Sequence, residues 1–293
     1  VVENSCNPGF VSLGQKIGKE TLFEYIKKFG FGNPTGIDLN GESSGILFKL
    51  DKVGPVELAT TSFGQGVSVT PIQQITAVSA AINGGFLFEP YIVKSVNEPE
   101  TNTVIKNHES KVVRKVISET TSEKVRYALE SVVTNGTGRN AFIDGYRVGG
   151  KTGTAQKVQN GTYMIGNYIT SFMGFLPAND PEVIVYVAID NAKGITQYGG
   201  TIVAPIVRNI LLDAIDILKI KKPDGASEKN YNYNEKKYLT VPNVEGMSLK
   251  EAMKELKEFK VEYTGTGETV TYQTPVSGER IFEGNIVRLY LDS

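Results

Sequence analysis

The densest run of reactive side chains is Gly149-Gly150-Lys151-Thr152-Gly153-Thr154, an amine and two hydroxyls interleaved with glycines that let another backbone come close. On one extended segment such groups can hold an anion, donate hydrogen bonds and pass protons. A phosphate-binding loop would need a helix directly after the lysine, and the sequence there continues as strand. The plain alternative is a glycine-rich turn with an exposed lysine. Cys6 and His108 are the only cysteine and histidine, too few for a zinc site built wholly from this chain. Cys6 reads as a small hydrophobe, and a metal there would need ligands from elsewhere. His108, within Lys106-Asn107-His108-Glu109, reads as a solvated loop residue.

Composition narrows the function classes. Lys+Arg total 31 against Asp+Glu 32, a net charge of −1, and 40 % of the residues are hydrophobic. No basic stripe marks a nucleic-acid site, and one cysteine excludes an internal disulfide framework. No apolar run approaches the roughly 20 residues of a membrane helix; residues 183–189 make only a strand. The chain opens at Val1 without the charged and apolar regions of a signal peptide.

Several elements must position the Lys151 segment. Helices are predicted over 21–29, over 70–82 behind Thr70-Pro71, over 122–134 before Asn135-Gly136, and over 204–218 with Pro205 in the first turn. In the second, Ile72, Ile75, Val78 and Ile82 form the expected buried stripe. Strands are predicted over 86–96, 146–158, 168–176 and 182–189. Helices around adjacent strands with short turns predict an α+β body with an antiparallel sheet flanked by helices. Residues 219–238, rich in Lys, Asn and Gly, read as a linker between a body at 1–218 and a module at 239–293. In that module Ser248 and Glu251 form a capping box before one helix, followed by β-rich segments, so a helix on a small β-sheet is expected.

Ser5-Cys6-Asn7 adds little alone, since Ser and Asn are ordinary turn formers. Paired in order with Lys151-Thr152-Gly153, it matches the Ser-x-Asn and Lys-Thr-Gly motifs of penicillin-recognising enzymes. With Thr61-Ser62-Phe63-Gly64-Gln65-Gly66, Asn135-Gly136-Thr137-Gly138 and Ala155-Gln156, the body resembles the C-terminal part of a class B penicillin-binding protein transpeptidase domain. The resemblance implies the serine β-lactamase-like fold of that family. Gly64-Gln65-Gly66 itself reads as a structural turn. The tail, from Val241-Pro242-Asn243 through Gln273-Thr274-Pro275 to Gly284-Asn285-Ile286-Val287, is similar to a PASTA module.

The resemblance implies a peptidoglycan D,D-transpeptidase that crosslinks stem peptides ending in D-Ala-D-Ala through a serine acyl-enzyme and is a target of β-lactams. It implies no cofactor and no metal. Ser5 and Lys151 would pass a proton to the leaving amine, Asn7 would hold the substrate amide, and Thr152, Gly153 and Thr154 would bind the substrate, with the Thr154 amide in the oxyanion hole. The family's acylated Ser-x-x-Lys tetrad is absent: Ser12 meets Gln15, Ser122 meets Val125 and Ser248 meets Glu251. An internal start at Val1 is therefore expected, with the nucleophile and a membrane anchor upstream, on the extracytoplasmic face of a bacterial membrane. A glycosyltransferase partner in that membrane is implied, and a sporulation or division role. The competing readings are a D,D-carboxypeptidase or β-lactamase, or a non-catalytic β-lactam-sensing or wall-binding protein.

Overall fold

The computed structural model describes residues 1–159, 161–222 and 238–292 and separates into two units, Val1–Glu228 and Lys229–Ser293. The larger unit begins with helices α1 (Asn7–Ile17), α2 (Lys19–Lys28), α3 (Pro55–Ser62) and α4 (Pro71–Ile82). Four short strands follow, β1 (Phe86–Phe88), β2 (Ser95–Asn97), β3 (Val104–Asn107) and β4 (Val112–Lys115), and then α5 (Glu119–Thr134). The chain next forms β5 (Gly149–Gln159), β6 (Thr162–Leu176) and β7 (Val183–Asp190), and ends in α6 (Gly199–Ile202) and α7 (Ala204–Leu218).

β5, β6 and β7 form one antiparallel sheet in that order, which leaves β5 at an edge. Its two faces can be read from β6. Phe172 and Leu176 are fully buried in one cluster with Val207 and Leu211 of α7. Phe175, an odd number of residues away and hence on the opposite face, packs with Ile82 of α4 and Leu129 of α5. Each buried phenylalanine contributes roughly 1.5–3 kcal/mol relative to exposure. The α+β expectation of a sheet flanked by helices is met.

Element bounds differ from expectation where chemistry overrides periodicity. The strand expected over 86–96 breaks into β1 and β2: Pro90 lacks an N–H, and Asp38 takes the N–H groups of Ile92 and Val93, both at 2.8 Å. β5 starts at Gly149 rather than 146, and β6 is longer than the expected 168–176. Helices α1 and α3 were not foreseen, although each carries proline in its first turn. In α4 the buried positions are Gln73, Ala77, Ala80 and Ile82, so three of the four expected isoleucine and valine positions lie off the most buried stripe. Gln73 takes that place because its amide donates to Asn33 O at 2.7 Å and Ser44 O at 2.9 Å and accepts from Thr70 N at 3.0 Å.

Most of the segment expected as a linker, 223–237, lies outside the described residues. At its near end Lys219 terminates α7 in a left-handed conformation, and Ile220 is buried with the body core.

The smaller unit contains β8 (Tyr238–Thr240), α8 (Leu249–Glu255), β9 (Lys260–Thr264), β10 (Val270–Thr274), β11 (Arg280–Phe282) and β12 (Ile286–Leu291). Its sheet order is β10-β12-β9, with β12 parallel to β9, and β11 pairs with β8 separately. The helix stands on this sheet as expected, capped by Ser248 and Glu251. Val244, Ala252, Leu256, Val287 and Leu289 form its fully buried core.

Candidate active site

Lys151 lies on edge strand β5, opposite Met173 of β6. The strand's glycines have distinct jobs. A Cβ on Gly149 would lie 2.3 Å from the Phe175 ring, and one on Gly150 2.6 Å from the Phe172 ring and 2.7 Å from Met173 O. These two glycines admit the core rings of β6. The close approach to β5 itself comes at Gly199 of α6, where a Cβ would lie 2.3 Å from Ser171 O and 2.7 Å from Gly153 O. Gly145 and Gly150-Lys151-Thr152 meet the letter spacing of a phosphate-binding loop. Residues 149–159 are nevertheless one continuous strand, so no helix N-terminus exists there to receive a phosphate.

The lysine reaches across the fold. Its Nζ donates to Ser5 Oγ at 2.7 Å, a contact between residues 146 positions apart, and to Thr152 O at 2.9 Å and Thr152 Oγ1 at 3.2 Å. Burial pushes its pKa down from 10.5 to about 8, because a low-dielectric surround disfavours the charged form. At neutral pH the group is a cation poised to release a proton.

Ser5 is held in an uncommon conformation. Its φ is +50°, a left-handed value that costs a serine on the order of 1 kcal/mol. The turn is closed by Ser5 N donating to Val2 O at 3.2 Å and Cys6 N to Val1 O at 3.1 Å. Cys6 then caps α1 and Asn7 opens it, exposed and with no hydrogen-bond partner for its side-chain amide among the described residues.

Hydrogen-bond direction follows from donor inventory. An ammonium can only donate, so Ser5 Oγ accepts from Lys151 and its own proton is free for another acceptor. Thr152 Oγ1 also accepts from Lys151, and Thr137 Oγ1 lies 3.2 Å from it and donates to Glu3 O at 3.4 Å. The protons therefore run from Lys151 through Thr152 and Thr137 to the Glu3 carbonyl. Thr154 is exposed on β5, its Oγ1 accepting from Gly199 N at 3.5 Å.

Ser5 thus lies in the turn before α1 and Asn7 at the first residue of that helix, while Lys151, Thr152, Gly153 and Thr154 lie on β5; the Ser5–Lys151 contact joins the two segments. Glu3 and Thr137 also belong to this cluster, although motif reading did not single them out as site residues. Their signal was Asn135-Gly136-Thr137-Gly138, where a Cβ on Gly136 would lie 2.3 Å from Glu3 O. Gly64-Gln65-Gly66 is a turn after α3, with Gly66 at φ +78° against the Phe48 ring. Two expectations need correction. Cys6 is exposed rather than buried as a small hydrophobe, since a helix N-cap at the chain surface has no core behind it. His108 is half-buried rather than freely solvated, because its ring stacks on Tyr91 with centroids 3.8 Å apart. No group of His, Cys, Asp or Glu suited to a metal ion occurs among the described residues.

Comparison with known proteins shows the family and the fold. Residues 1–212 match the penicillin binding protein transpeptidase domain and residues 239–293 the PASTA domain. Over 291 residues the chain is 56 % identical to stage V sporulation protein D of Bacillus subtilis, covering 99 % of this chain and 45 % of that protein. It is 35 % identical over 236 residues to a peptidoglycan D,D-transpeptidase FtsI homolog of Mesostigma viride, covering 75 % of this chain and 40 % of the relative. The chain therefore spans less than half the length of these relatives. Among solved structures, penicillin binding protein 3 of Mycobacterium tuberculosis in complex with ampicillin superposes with a TM-score of 0.70 at 29 % identity, covering 78 % of this chain and 52 % of that one. Penicillin binding protein 2X of Streptococcus thermophilus superposes at 0.67 with 26 % identity, covering 99 % and 43 %.

Proposed function

The chain belongs to the penicillin-binding protein transpeptidase family, and from that premise we propose that it forms the proton-transferring and substrate-binding part of a peptidoglycan D,D-transpeptidase. The observation that carries this reading is the 2.7 Å contact from Lys151 Nζ to Ser5 Oγ, which unites the two motifs.

In the proposed reaction the serine of a Ser-x-x-Lys tetrad, its proton taken by the tetrad lysine, attacks the carbonyl of the D-Ala-D-Ala bond, and the carbon–nitrogen bond breaks to release D-alanine. The leaving amine needs a proton. Ser5 can supply it, since its O–H is free, and Lys151 replaces that proton from its ammonium. An acceptor amine then attacks the acyl-enzyme, giving its proton back along the same pair, and the ester bond breaks as the departing serine oxygen regains its proton from the tetrad lysine. Thr152 and Thr154 bind the terminal carboxylate, the Thr152 hydroxyl turning its proton from Thr137 Oγ1 to the substrate. Asn7, its side-chain amide unpartnered, holds the substrate amide. Gly153, on the edge of the sheet, pairs with the substrate backbone as an added strand, and the Thr154 N–H is one oxyanion donor. No Ser-x-x-Lys tetrad occurs in these 293 residues, so in this reading the nucleophile and its lysine come from polypeptide outside them.

The same reading makes β-lactams acylating inhibitors. It places the enzyme on the outer face of a bacterial membrane, beside a glycosyltransferase that supplies uncrosslinked glycan, in septal or spore wall synthesis. Among the described residues no helix is long and apolar enough to cross a membrane. The domain division at 1–218, 219–238 and 239–293 is part of this proposal.

The test is turnover of a stem peptide ending in D-Ala-D-Ala by the complete polypeptide with an acceptor amine present. Release of D-alanine with formation of the crosslinked amide supports a transpeptidase. Release with water as the sole acceptor indicates a carboxypeptidase, and no release indicates a sensor or wall-binding protein.

A further inference from the structure

We propose that Glu3 is a positioning residue for the Ser5–Lys151 pair, a role that rests on the acyl-transfer reading above. Residues 1–5 form a turn ahead of α1, and among the described residues hydrogen bonds from this segment to the rest of the body help to place Ser5. Three of these bonds converge on Glu3. Its carbonyl accepts from Thr137 N at 3.2 Å and Thr137 Oγ1 at 3.4 Å, and its carboxylate accepts a short hydrogen bond from Ser131 Oγ. Ser131 lies in the last turn of α5, which packs on β5, the strand that carries Lys151. Glu3 therefore ties the Ser5 turn to the same framework as the lysine.

Only the bond from Ser131 Oγ depends on the glutamate side chain; the carbonyl bonds belong to the backbone at this position. The Glu3 carbonyl occupies the space that a Cβ on Gly136 would fill, at 2.3 Å. A carboxylate beside a helix C-terminus is disfavoured by the helix dipole, so hydrogen bonding rather than charge holds the side chain there. Lys151 has its own anchors in Thr152 O and Thr152 Oγ1. When Glu3 lets go, Ser5 moves and Lys151 stays, and the pair separates. Misplacement of a reacting group by about 1 Å can cost on the order of 100-fold in rate.

The experiment measures β-lactam acylation of the complete polypeptide, resolving the acylation rate constant from the dissociation constant of the initial complex. Variants are Glu3→Leu, Glu3→Gln, Ser131→Ala and Glu3→Leu with Ser131→Ala. The expected result is a loss of at least about 10-fold in the acylation rate constant for Glu3→Leu and for Ser131→Ala, with initial binding within about 2-fold. Glu3→Gln, which keeps the acceptor, retains most of the rate. The double variant is no slower than the slower single one, because both remove one bond. Wild-type rates for both single variants, a defect confined to initial binding, or a Glu3→Gln loss equal to that of Glu3→Leu would each overturn the assignment. A second readout is the acetylation rate of Lys151 by acetic anhydride, followed by mass spectrometry. Glu3→Leu raises it and Glu3→Gln does not; equal rates in all variants overturn the tether. If the wild type takes no β-lactam at all, the acyl-transfer reading fails, and this second readout still decides whether Glu3 holds the pair.

Discussion

Lys151 concentrates the chemistry of the site because, among the described residues, it alone hydrogen-bonds both Ser5 and the Thr152 hydroxyl. Lys151→Ala should slow β-lactam acylation of the complete polypeptide by at least about 100-fold, the scale of a positioned proton donor, as read by stopped-flow acylation. The lowered pKa sets the pH window. Protonated lysine is the donor, so acylation should fall as pH rises through about 8, and a rate plateau extending to pH 10 would contradict this. Stability moves the other way. Between pH 8 and 10.5 the unfolded chain still holds the proton that folded Lys151 has released, so stability attributable to this residue rises with pH across that window. Urea unfolding of the wild type and Lys151→Met at pH 7.5 and 10 reads the difference. Lys151, Thr152 and Gly153 were legible in the sequence because type and spacing carry the signal within a few residues. Glu3 and Thr137 were not, because their contact joins positions 134 residues apart and uses a backbone carbonyl that every residue possesses. The exposure of Cys6 was hidden for a similar reason: a small apolar side chain says nothing about whether a core lies behind it.

Among the elements, β5 depends on what it lacks. Gly150→Ala sets a Cβ against Met173 O of the neighbouring strand, a backbone atom that cannot swing aside, as well as against the Phe172 ring. A loss of about 1–3 kcal/mol is expected, seen as a lower urea midpoint with an unchanged slope. Helices α4 and α7 were legible because first-turn prolines accompany their apolar residues, and Thr70 caps α4 as read. Helix α5 was legible from its apolar spacing and Asn135-Gly136 stop, but it begins at Glu119 behind a Ser118 cap rather than at 122. Periodicity nonetheless misjudged α4, whose buried stripe includes an amide, Gln73, bound to two carbonyls of a distant loop. The break between β1 and β2 was legible only in part: Pro90 stands in the sequence, but Asp38 is more than fifty residues upstream of the N–H groups it accepts from. The parallel pairing of β9 and β12 escaped notice because strand direction within a sheet is settled by long-range packing rather than by alternation.

At the scale of the whole molecule, each unit buries its own core. Two calorimetric transitions are therefore expected. In the smaller unit, fully buried Gln273 accepts from Val244 N at 2.7 Å and donates to Pro242 O at 3.0 Å. Gln273→Leu orphans these groups at a cost of about 1–3 kcal/mol, which in so small a domain lowers one melting temperature by roughly 10 °C and leaves the other unmoved. The two-part organisation could be read from composition, because the Lys- and Asn-rich seam interrupts every apolar pattern. The family was legible from the order of several short motifs, whereas the contacts that unite them required the fold. The central claim is that these motifs complete an acyl-transfer pocket whose nucleophile lies outside the 293 residues. The measurement that tests it most directly is the intact mass of the complete polypeptide after exposure to a β-lactam, with peptide mapping of the adduct. The account predicts one adduct, on a serine of a Ser-x-x-Lys tetrad outside this chain, formed at least about 100-fold more slowly in Lys151→Ala. No adduct, or an adduct on a serine within these residues, would contradict it.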